Sequence, residues 1–205
     1  MAFEILDVPA NYKGLEHQQA ALIYLWERLT PQERDRFTLI WRDQLPYLSQ
    51  DQPSETLLVL VRYFEGFRSS AYQDLVGVWT IGYGRTQGVR KGQKTIREKE
   101  DQYLREVLSE IKYALRAALR PNTYEHELEA ITSLAYNCGI DAIKRSTLVK
   151  LHNTSDTLGA AVQFEKWIHA GGAVVQGLVN RRAAERKLYM GIVWTPPTST
   201  RSSNR

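Results

Sequence analysis

A short stretch of the chain, EGFRSSAYQDLVGVWTIGYGRT at residues 65–86, places two carboxylic acids and a hydroxyl among glycines and aromatics. The three side chains are Glu65, Asp74 and Thr80. Four glycines, at 66, 77, 82 and 84, indicate that the backbone turns sharply, because glycine enters the left-handed region at little cost. Two carboxylates on a tightly turned scaffold are typical of a hydrolytic site, and they are also compatible with an ordinary hairpin.

Each of the three side chains has an ordinary interpretation as well as a chemical one. Glu65 fits a solvated helix end, Asp74 fits the cap of a turn, and Thr80 fits a strand. Hydrolysis of a glycosidic bond needs one protonated carboxyl to donate to the leaving oxygen and one carboxylate on the other side of the bond. A glutamate at a helix end and an aspartate on an adjoining hairpin can flank a cleft in this way, while a threonine hydroxyl orients a water. The spacing fits this mechanism without requiring it.

The elements around these residues are predicted from local signals. The run TLLVLVRYFEGF predicts a helix that stops near Gly66, and AYQDLVGVWTIGYG predicts a small β-meander. Asp74 and Gly77 occupy the first and fourth positions that a β-turn favours. The segment Thr95–Glu98 reads as a capping box that opens a long helix ended by Pro121.

The remainder of the chain is predicted to be helical. Further helices are expected at about 123–138, 146–152, 156–169 and 179–190, and residues 15–45 resemble a helical hairpin. The turn-rich segment PYLSQDQPSE marks a linker, and TPPTSTRSSNR after Trp194 predicts a disordered tail. The predicted division is therefore an extension with its linker at 1–55, a main domain at 56–194 and a tail at 195–205.

Charge is unevenly distributed along the chain. Residues 1–55 carry 5 basic and 9 acidic side chains, residues 56–194 carry 20 and 14, and two arginines follow, which gives −4, +6 and +2. A basic domain suits a polyanionic partner, either nucleic acid or an acidic polysaccharide or cell envelope, and a mixed solvated surface is the alternative. Without a nucleic-acid-binding motif, no nucleic-acid partner is predicted.

Other features limit the function further. No apolar run reaches the roughly 18 residues of a membrane span, so membrane insertion is not expected. The N-terminus lacks the pattern of a signal peptide, which predicts synthesis in the cytoplasm. Cys138 has no basic partner in its own segment, so it is expected to be a buried small apolar residue. The histidines lack metal-ligand spacing, and we predict neither a metal nor another cofactor.

Longer motifs add a resemblance to these observations. The run Glu65-Gly66, then Tyr72, Asp74 and Gly77, followed by TIGYG, resembles the phage-type lysozymes of glycoside hydrolase family 24. The segments SLAYNCGIDAIKRSTLVKLHN and FEKWIHAGGAVVQGLVNRRAAERKLYMG are similar to the C-terminal lobe of the same family. The resemblance covers about residues 56–192, in order.

The resemblance implies an α+β fold in which a small lobe with a β-hairpin is joined by a long helix to a mainly helical lobe. It implies hydrolysis of the β-1,4 bond between N-acetylmuramic acid and N-acetylglucosamine in peptidoglycan, with inversion, as in an endolysin that lyses the cell. Glu65 matches the general acid, Asp74 the carboxylate that activates water, and Thr80 the hydroxyl that places this water. Asn137 matches a substrate-contacting amide, and Arg181 an arginine that lies against the acid.

One residue departs from the family pattern. Where the family reads GYGHT, this chain reads GYGRT at residues 82–86, so Arg85 stands in place of a histidine beside Tyr83. A guanidinium cannot accept a hydrogen bond and stays charged. If the histidine is a structural partner of an acid, Arg85 replaces it by an ion pair; if the histidine tunes the site, activity or its pH range changes.

Two alternative functions remain compatible with the sequence. A lytic transglycosylase uses a single acid and forms an anhydro-sugar, and the presence of both Asp74 and Thr80 speaks against it. A non-catalytic peptidoglycan-binding relic of the fold is the other, with Arg85 as its support. For the muramidase we expect a monomer that reaches the cell wall after release, and the hairpin at 15–45 is a candidate for binding an unknown partner.

Overall fold

A computed structural model describes residues 28–30, 51–74 and 77–197. The chain divides into two compact units, Met1–Gln52 and Pro53–Arg205. This division falls before Pro53, slightly earlier than the boundary predicted after residue 55. The predicted hairpin at 15–45 lies almost entirely outside the described residues, as does most of the predicted tail, of which 195–197 have no regular structure.

The first helix of the second unit, α1 (Glu55–Glu65), begins and ends where the sequence predicts. Ser54 caps it, because its side chain accepts a hydrogen bond from the Leu57 amide at 3.2 Å. Ser54 is itself held by Glu129, whose two carboxylate oxygens accept from the Ser54 amide and hydroxyl at 2.7 Å each. Gly66, with a φ of 67°, ends the helix. The end of α1 fixes the position of Glu65.

A β-hairpin follows directly. Strands β1 (Arg68–Gln73) and β2 (Trp79–Gly82) pair antiparallel, and Tyr72 lies opposite Thr80. The turn between them is closed by a hydrogen bond from the Gly77 amide to the Asp74 carbonyl at 3.0 Å, and Gly77 has a φ of 85°. The predicted turn positions of Asp74 and Gly77 are therefore confirmed, and the predicted small meander is a two-stranded hairpin.

The long helix α2 (Arg97–Arg116) is present, but its predicted capping box is wrong. The N-cap is Ile96, which supplies no side-chain cap. The Thr95 hydroxyl instead donates to Glu100 Oε1 at 2.6 Å, because Glu100 is a buried carboxylate that needs donors. The helix also ends at Arg116, before the predicted stop at Pro121.

Helices make up most of the remaining chain. In order they are α3 (Glu125–Cys138), α4 (Ile140–Lys144), α5 (Thr147–Asn153), α6 (Thr157–Gln163), a 3-10 turn (Phe164–Lys166) and α7 (Gln176–Tyr189). The helix predicted at 156–169 is shorter than expected, because a second two-stranded hairpin, β3 (His169–Ala170) with β4 (Ala173–Val174), interrupts it. The α+β class predicted from the resemblance is correct, and the content is mostly helical.

The core forms around α3. This helix packs against α1, α2 and α7, and nine consecutive residues, 127–135, are buried. Leucines at 57, 58, 104, 108 and 188 pack around it. Because α1 and α7 both rest on α3, the end of one helix and a buried face of the other come together at the site described next. Among the described residues, no helix has the length and apolar character to cross a membrane.

Candidate active site

The Glu65 carboxylate is ion-paired with Arg181 of α7. Glu65 Oε1 lies 2.6 Å from Arg181 Nη1, and the two side chains are 20% and 4% exposed. Glu65 is the last residue of α1, where unpaired carbonyls make the helix end electronegative, so a cation is needed to balance an acid there. Burial alone would lower the pKa of Arg181, but the charges of Glu185 and Glu65 outweigh it and raise that pKa. Arg181 is therefore a fixed positive charge beside Glu65.

A buried carboxylate holds Arg181 in place. Glu185 Oε1 accepts hydrogen bonds from Arg181 Nε at 3.1 Å and from the Ser133 hydroxyl at 2.7 Å. Arg182 Nε lies 2.8 Å from Glu185 Oε2, and Glu185 is fully buried. One acid thus anchors two adjacent arginines from within α7 and ties them to α3.

The loop after β2 brings backbone close to Glu65. A Cβ added at Gly84, whose φ is 100°, would lie 3.6 Å from Glu65 Oε2 and 3.9 Å from the Tyr136 hydroxyl. Tyr136 donates to the Tyr83 carbonyl at 2.9 Å. Burial, reinforced by the charge of Glu65, raises the pKa of Tyr136, which therefore stays protonated and able to donate. The Tyr83 side chain is only 4% exposed and packs on Phe67, so it supports this loop from inside.

Asp74 and Thr80 both bind the backbone of one residue of the hairpin, Val78. Asp74 Oδ1 accepts from the Val78 amide at 2.8 Å, and the Thr80 hydroxyl donates to the Val78 carbonyl at 3.1 Å. Asp74 is half-buried and Thr80 is 4% exposed. These contacts place a carboxylate and a hydroxyl on one hairpin, with the carboxylate fixed by the turn that it also caps.

Arg85 forms an ion pair with the buried Glu100 of α2. Its Nε and Nη2 donate to the two carboxylate oxygens at 2.9 and 2.6 Å, and Glu100 is 1% exposed. A Cβ at Gly82 would approach Glu100 Oε2 to 2.5 Å, so only glycine leaves room for the carboxylate. The structural interpretation of Arg85, an ion pair with an acid, is the one that the structure bears out.

Removing this guanidinium is expected to destabilise the protein in a pH-dependent way. Burial favours the protonated form of Glu100. The hydrogen bonds that Arg85 and Thr95 donate to it, together with the charge of Arg85, outweigh this effect and lower the pKa of Glu100. A depressed pKa stabilises the fold above the ordinary value of about 4.3, and this contribution is lost as the pH falls through the folded-state pKa. Arg85→Ala should lower the free energy of unfolding by about 3–5 kcal/mol at pH 7, measured by urea denaturation.

Urea denaturation at pH 3 tests whether the loss of stability comes from the ion pair between Arg85 and Glu100. The difference between wild type and Arg85→Ala should shrink there, because without the guanidinium burial favours protonated Glu100, which leaves no unpaired charge in the variant. Arg105→Ala is the matched control, since Arg105 pairs with the exposed Glu55 and the loss should stay below about 1 kcal/mol. An equal difference at pH 3 and pH 7 would show that packing, not the ion pair, is responsible.

Asn137 lies at the exposed end of α3. Its Oδ1 accepts from Arg182 Nη2 at 3.0 Å, which fixes the orientation of the amide. Cys138 is half-buried rather than buried, and its sulfur contacts Arg182 Nη1 at 3.2 Å. Burial, only partly offset by Arg182, raises the pKa of the Cys138 thiol, so the thiol is not activated. Arg182 thus connects the Asn137 amide to Glu185, the acid that anchors Arg181.

Three residues of the site, Glu185, Tyr136 and Glu100, did not stand out in the sequence. Arg181 and Glu185 are four residues apart, so once this segment is assigned to a helix the spacing predicts that the two side chains pair. Tyr136 lies in the AYNCG segment beside Asn137. For Glu100, the charged partner Arg85 comes from the loop after β2, and the nearby Thr95 matches a helix cap in the sequence. Over the described ranges, no group of three or more metal-ligating side chains occurs.

Comparisons with known proteins show the family of the chain. The model of the phage lysozyme family matches residues 62–185, which include every predicted site residue. The endolysin of Acyrthosiphon pisum secondary endosymbiont phage 1 is 35% identical over 140 residues, which are 66% of this chain and 96% of that protein.

Solved structures show the same relation. The endolysin from Escherichia coli O157:H7 phage FAHEc1 superposes with a TM-score of 0.65 at 34% identity, covering 71% of this chain and 97% of that one. The muramidase domain of SpmX from Asticaccaulis excentricus gives a TM-score of 0.63 at 31% identity, covering 70% and 97%. Because the family model matches more than half of its length, the chain belongs to the phage lysozyme family.

Proposed function

We propose that this chain hydrolyses the β-1,4 bond between N-acetylmuramic acid and N-acetylglucosamine with Glu65 as general acid, Asp74 as general base and Thr80 as the group that places the water. As a phage lysozyme it is a glycosidase, and its substrate is peptidoglycan. The observation that supports the assignment best is the ion pair between Glu65 and the buried Arg181 at the end of α1.

Arg181 suits the acid half of the reaction. When protonated Glu65 gives its proton to the leaving oxygen, it becomes a carboxylate, and the nearby guanidinium stabilises that charge as it develops. Because Glu185 already anchors the Nε edge of Arg181, little rearrangement is needed during the reaction. The backbone of Gly84 lies close to Glu65 Oε2, and because Gly84 has no side chain it does not cover this oxygen.

Asp74 and Thr80 suit the other half. The Thr80 hydroxyl donates its proton to the Val78 carbonyl, so its lone pairs are oriented to accept from a water. Asp74 takes a proton from that water while the water oxygen attacks C1 of the muramic acid on the face opposite the leaving group. The C1–O bond to the leaving sugar breaks, the new C1–OH bond forms, and the anomeric centre is inverted.

The surroundings fit a glycan strand as the ligand. The Asn137 amide, with its oxygen held by Arg182, presents its nitrogen as a donor to an acetamido or hydroxyl group. The basic balance of residues 56–194 suits the anionic cell wall. In this proposal the enzyme works as a monomer, reaches the wall after release from the cytoplasm, and lyses the cell that makes it.

Product analysis tests the proposal. Muropeptides released from purified sacculi should carry reducing-end N-acetylmuramic acid, and NMR of the fresh products should show the α-anomer first. Asp74→Asn, with an unchanged melting curve, should release far less product. Products with 1,6-anhydromuramic acid would support a transglycosylase, and binding to sacculi without release would support the non-catalytic relic.

A further inference from the structure

The chain after α7 reverses direction and returns to α1. The Gly191 amide donates to the Leu188 carbonyl and the Ile192 amide to the Lys187 carbonyl, both at 2.9 Å, which is the pattern of a Schellman motif. Gly191 has the positive φ, 72°, that this motif requires. Three residues later, Trp194 packs against two aromatic side chains of α1.

These contacts form an aromatic stack beside the acid. The Trp194 ring lies 5.6 Å from the Phe64 ring at an interplanar angle of 27°, and it meets the Tyr63 ring edge-on at 5.3 Å. Phe64 precedes Glu65 in the chain. The Arg181 guanidinium carbon lies 5.8 Å from the centroid of the Phe64 ring, within the range of a cation–π contact.

A continuous set of contacts therefore leads from Trp194 to the acid. Trp194 stacks on Phe64, Phe64 contacts the Arg181 guanidinium, and Arg181 Nη1 binds Glu65 Oε1 at 2.6 Å. Glu185 anchors the Nε edge of Arg181 from within its own helix. The Phe64 ring contacts Arg181 from α1 beside Glu65, and it is itself contacted by the rings of Tyr63 and Trp194.

We propose that Trp194 is a positioning residue, which holds the Phe64 ring against Arg181 and thereby keeps the guanidinium in place for Glu65. The residues that match the phage lysozyme family end at 185, so this contribution comes from the chain beyond the matched region. The inference rests on the proposed role of Glu65. Trp194 does not touch the substrate in this role, which separates it from the residues that carry the chemistry.

The test is a steady-state comparison on solubilised peptidoglycan at 25 °C. Trp194→Ala should lower kcat by roughly three- to tenfold, the range of one lost aromatic contact, with KM changed less than about twofold. Trp194→Phe keeps a ring on Phe64 and should restore most of kcat. Val193→Ala is the control, because Val193 is 81% exposed in the same segment and should leave both constants unchanged.

A double-mutant cycle identifies the route of the effect. In an Arg181→Lys background, where the planar guanidinium is gone, Trp194→Ala should no longer change kcat. Trp194→Leu, which keeps apolar cover but has no ring, serves the same cycle if the alanine variant does not fold. A full Trp194 effect in the Arg181→Lys background, or a rise in KM at constant kcat, would overturn the proposal.

The assignment of Glu65 is tested separately within the same experiment. If Glu65→Gln remains active, the acid assignment fails whatever Trp194 does. If Glu65→Gln is inactive and Trp194→Ala has wild-type kcat and KM, the positioning role alone fails. Equal kcat per folded molecule with a lowered melting temperature would make Trp194 a structural residue only.

Discussion

Replacing Glu65 with glutamine is expected to lower kcat/KM for peptidoglycan by about 10²- to 10⁴-fold, the usual contribution of general acid catalysis. Glutamine has nearly the same shape and still accepts from Arg181 Nη1, so the position of the side chain should be kept. What is lost is the transferable proton. The measurement is the rate of turbidity loss of a sacculus suspension, with product release followed by mass spectrometry.

The matched control for this prediction lies at the other end of the same helix. Glu55 is 63% exposed and pairs with Arg62 and Arg105 on the surface, so Glu55→Gln should change activity by less than about twofold. Comparable melting temperatures for the two variants would show that the helix is intact. Retention of more than half of the wild-type activity by Glu65→Gln would end the assignment of the acid.

Replacing Glu185 with glutamine should destabilise the protein strongly. The carboxylate balances two buried arginines, and its removal takes the acid partner from Arg182 and leaves Arg181 with Glu65 as its acid partner. Breaking a buried ion pair from one side costs about 3–5 kcal/mol. For a protein of this size that corresponds to a melting temperature lower by roughly 6–20 °C, measured by calorimetry.

Activity should decline in the same variant even below its melting temperature, because Arg181 loses the acid that anchors it. Glu165→Gln is the control: Glu165 pairs with Arg186 on the surface of the same region, and both side chains are about half exposed. Its melting temperature should stay within about 3 °C of wild type. A wild-type melting curve for Glu185→Gln would contradict the prediction and show that Glu65 and the neutral glutamine are enough to hold the two arginines.

The parts of the fold that sequence predicted correctly rest on local signals. The end of α1 at Gly66 and the turn from Asp74 to Gly77 follow from glycine conformations and turn preferences that act within a few residues. The double glycine at 171 and 172 was also a turn signal, and the β3–β4 hairpin around it was missed because its strands have only two residues each.

The site was predicted less completely, for a physical reason. Glu65, Asp74 and Thr80 came from spacing and resemblance, whereas the groups that hold them come from distant segments. Thr95 shows the conflict directly: its local pattern is that of a helix cap, but the buried Glu100 takes its hydroxyl instead. A buried carboxylate needs hydrogen-bond donors, and this requirement outweighed the local preference of Thr95 for capping the helix. The burial of Glu100 depends on the tertiary structure, so the local sequence does not show it.

The ion pair between Glu65 and Arg181 joins residues that are 116 positions apart. During synthesis α1 leaves the ribosome well before α7 exists, so the acid spends that interval without its cation. Contacts of such separation close late and slowly in folding, because the intervening chain must first be ordered. Glu65 therefore has no Arg181 beside it until α7 has been synthesised and has packed on α3, so the ion pair is among the last contacts of this unit to form.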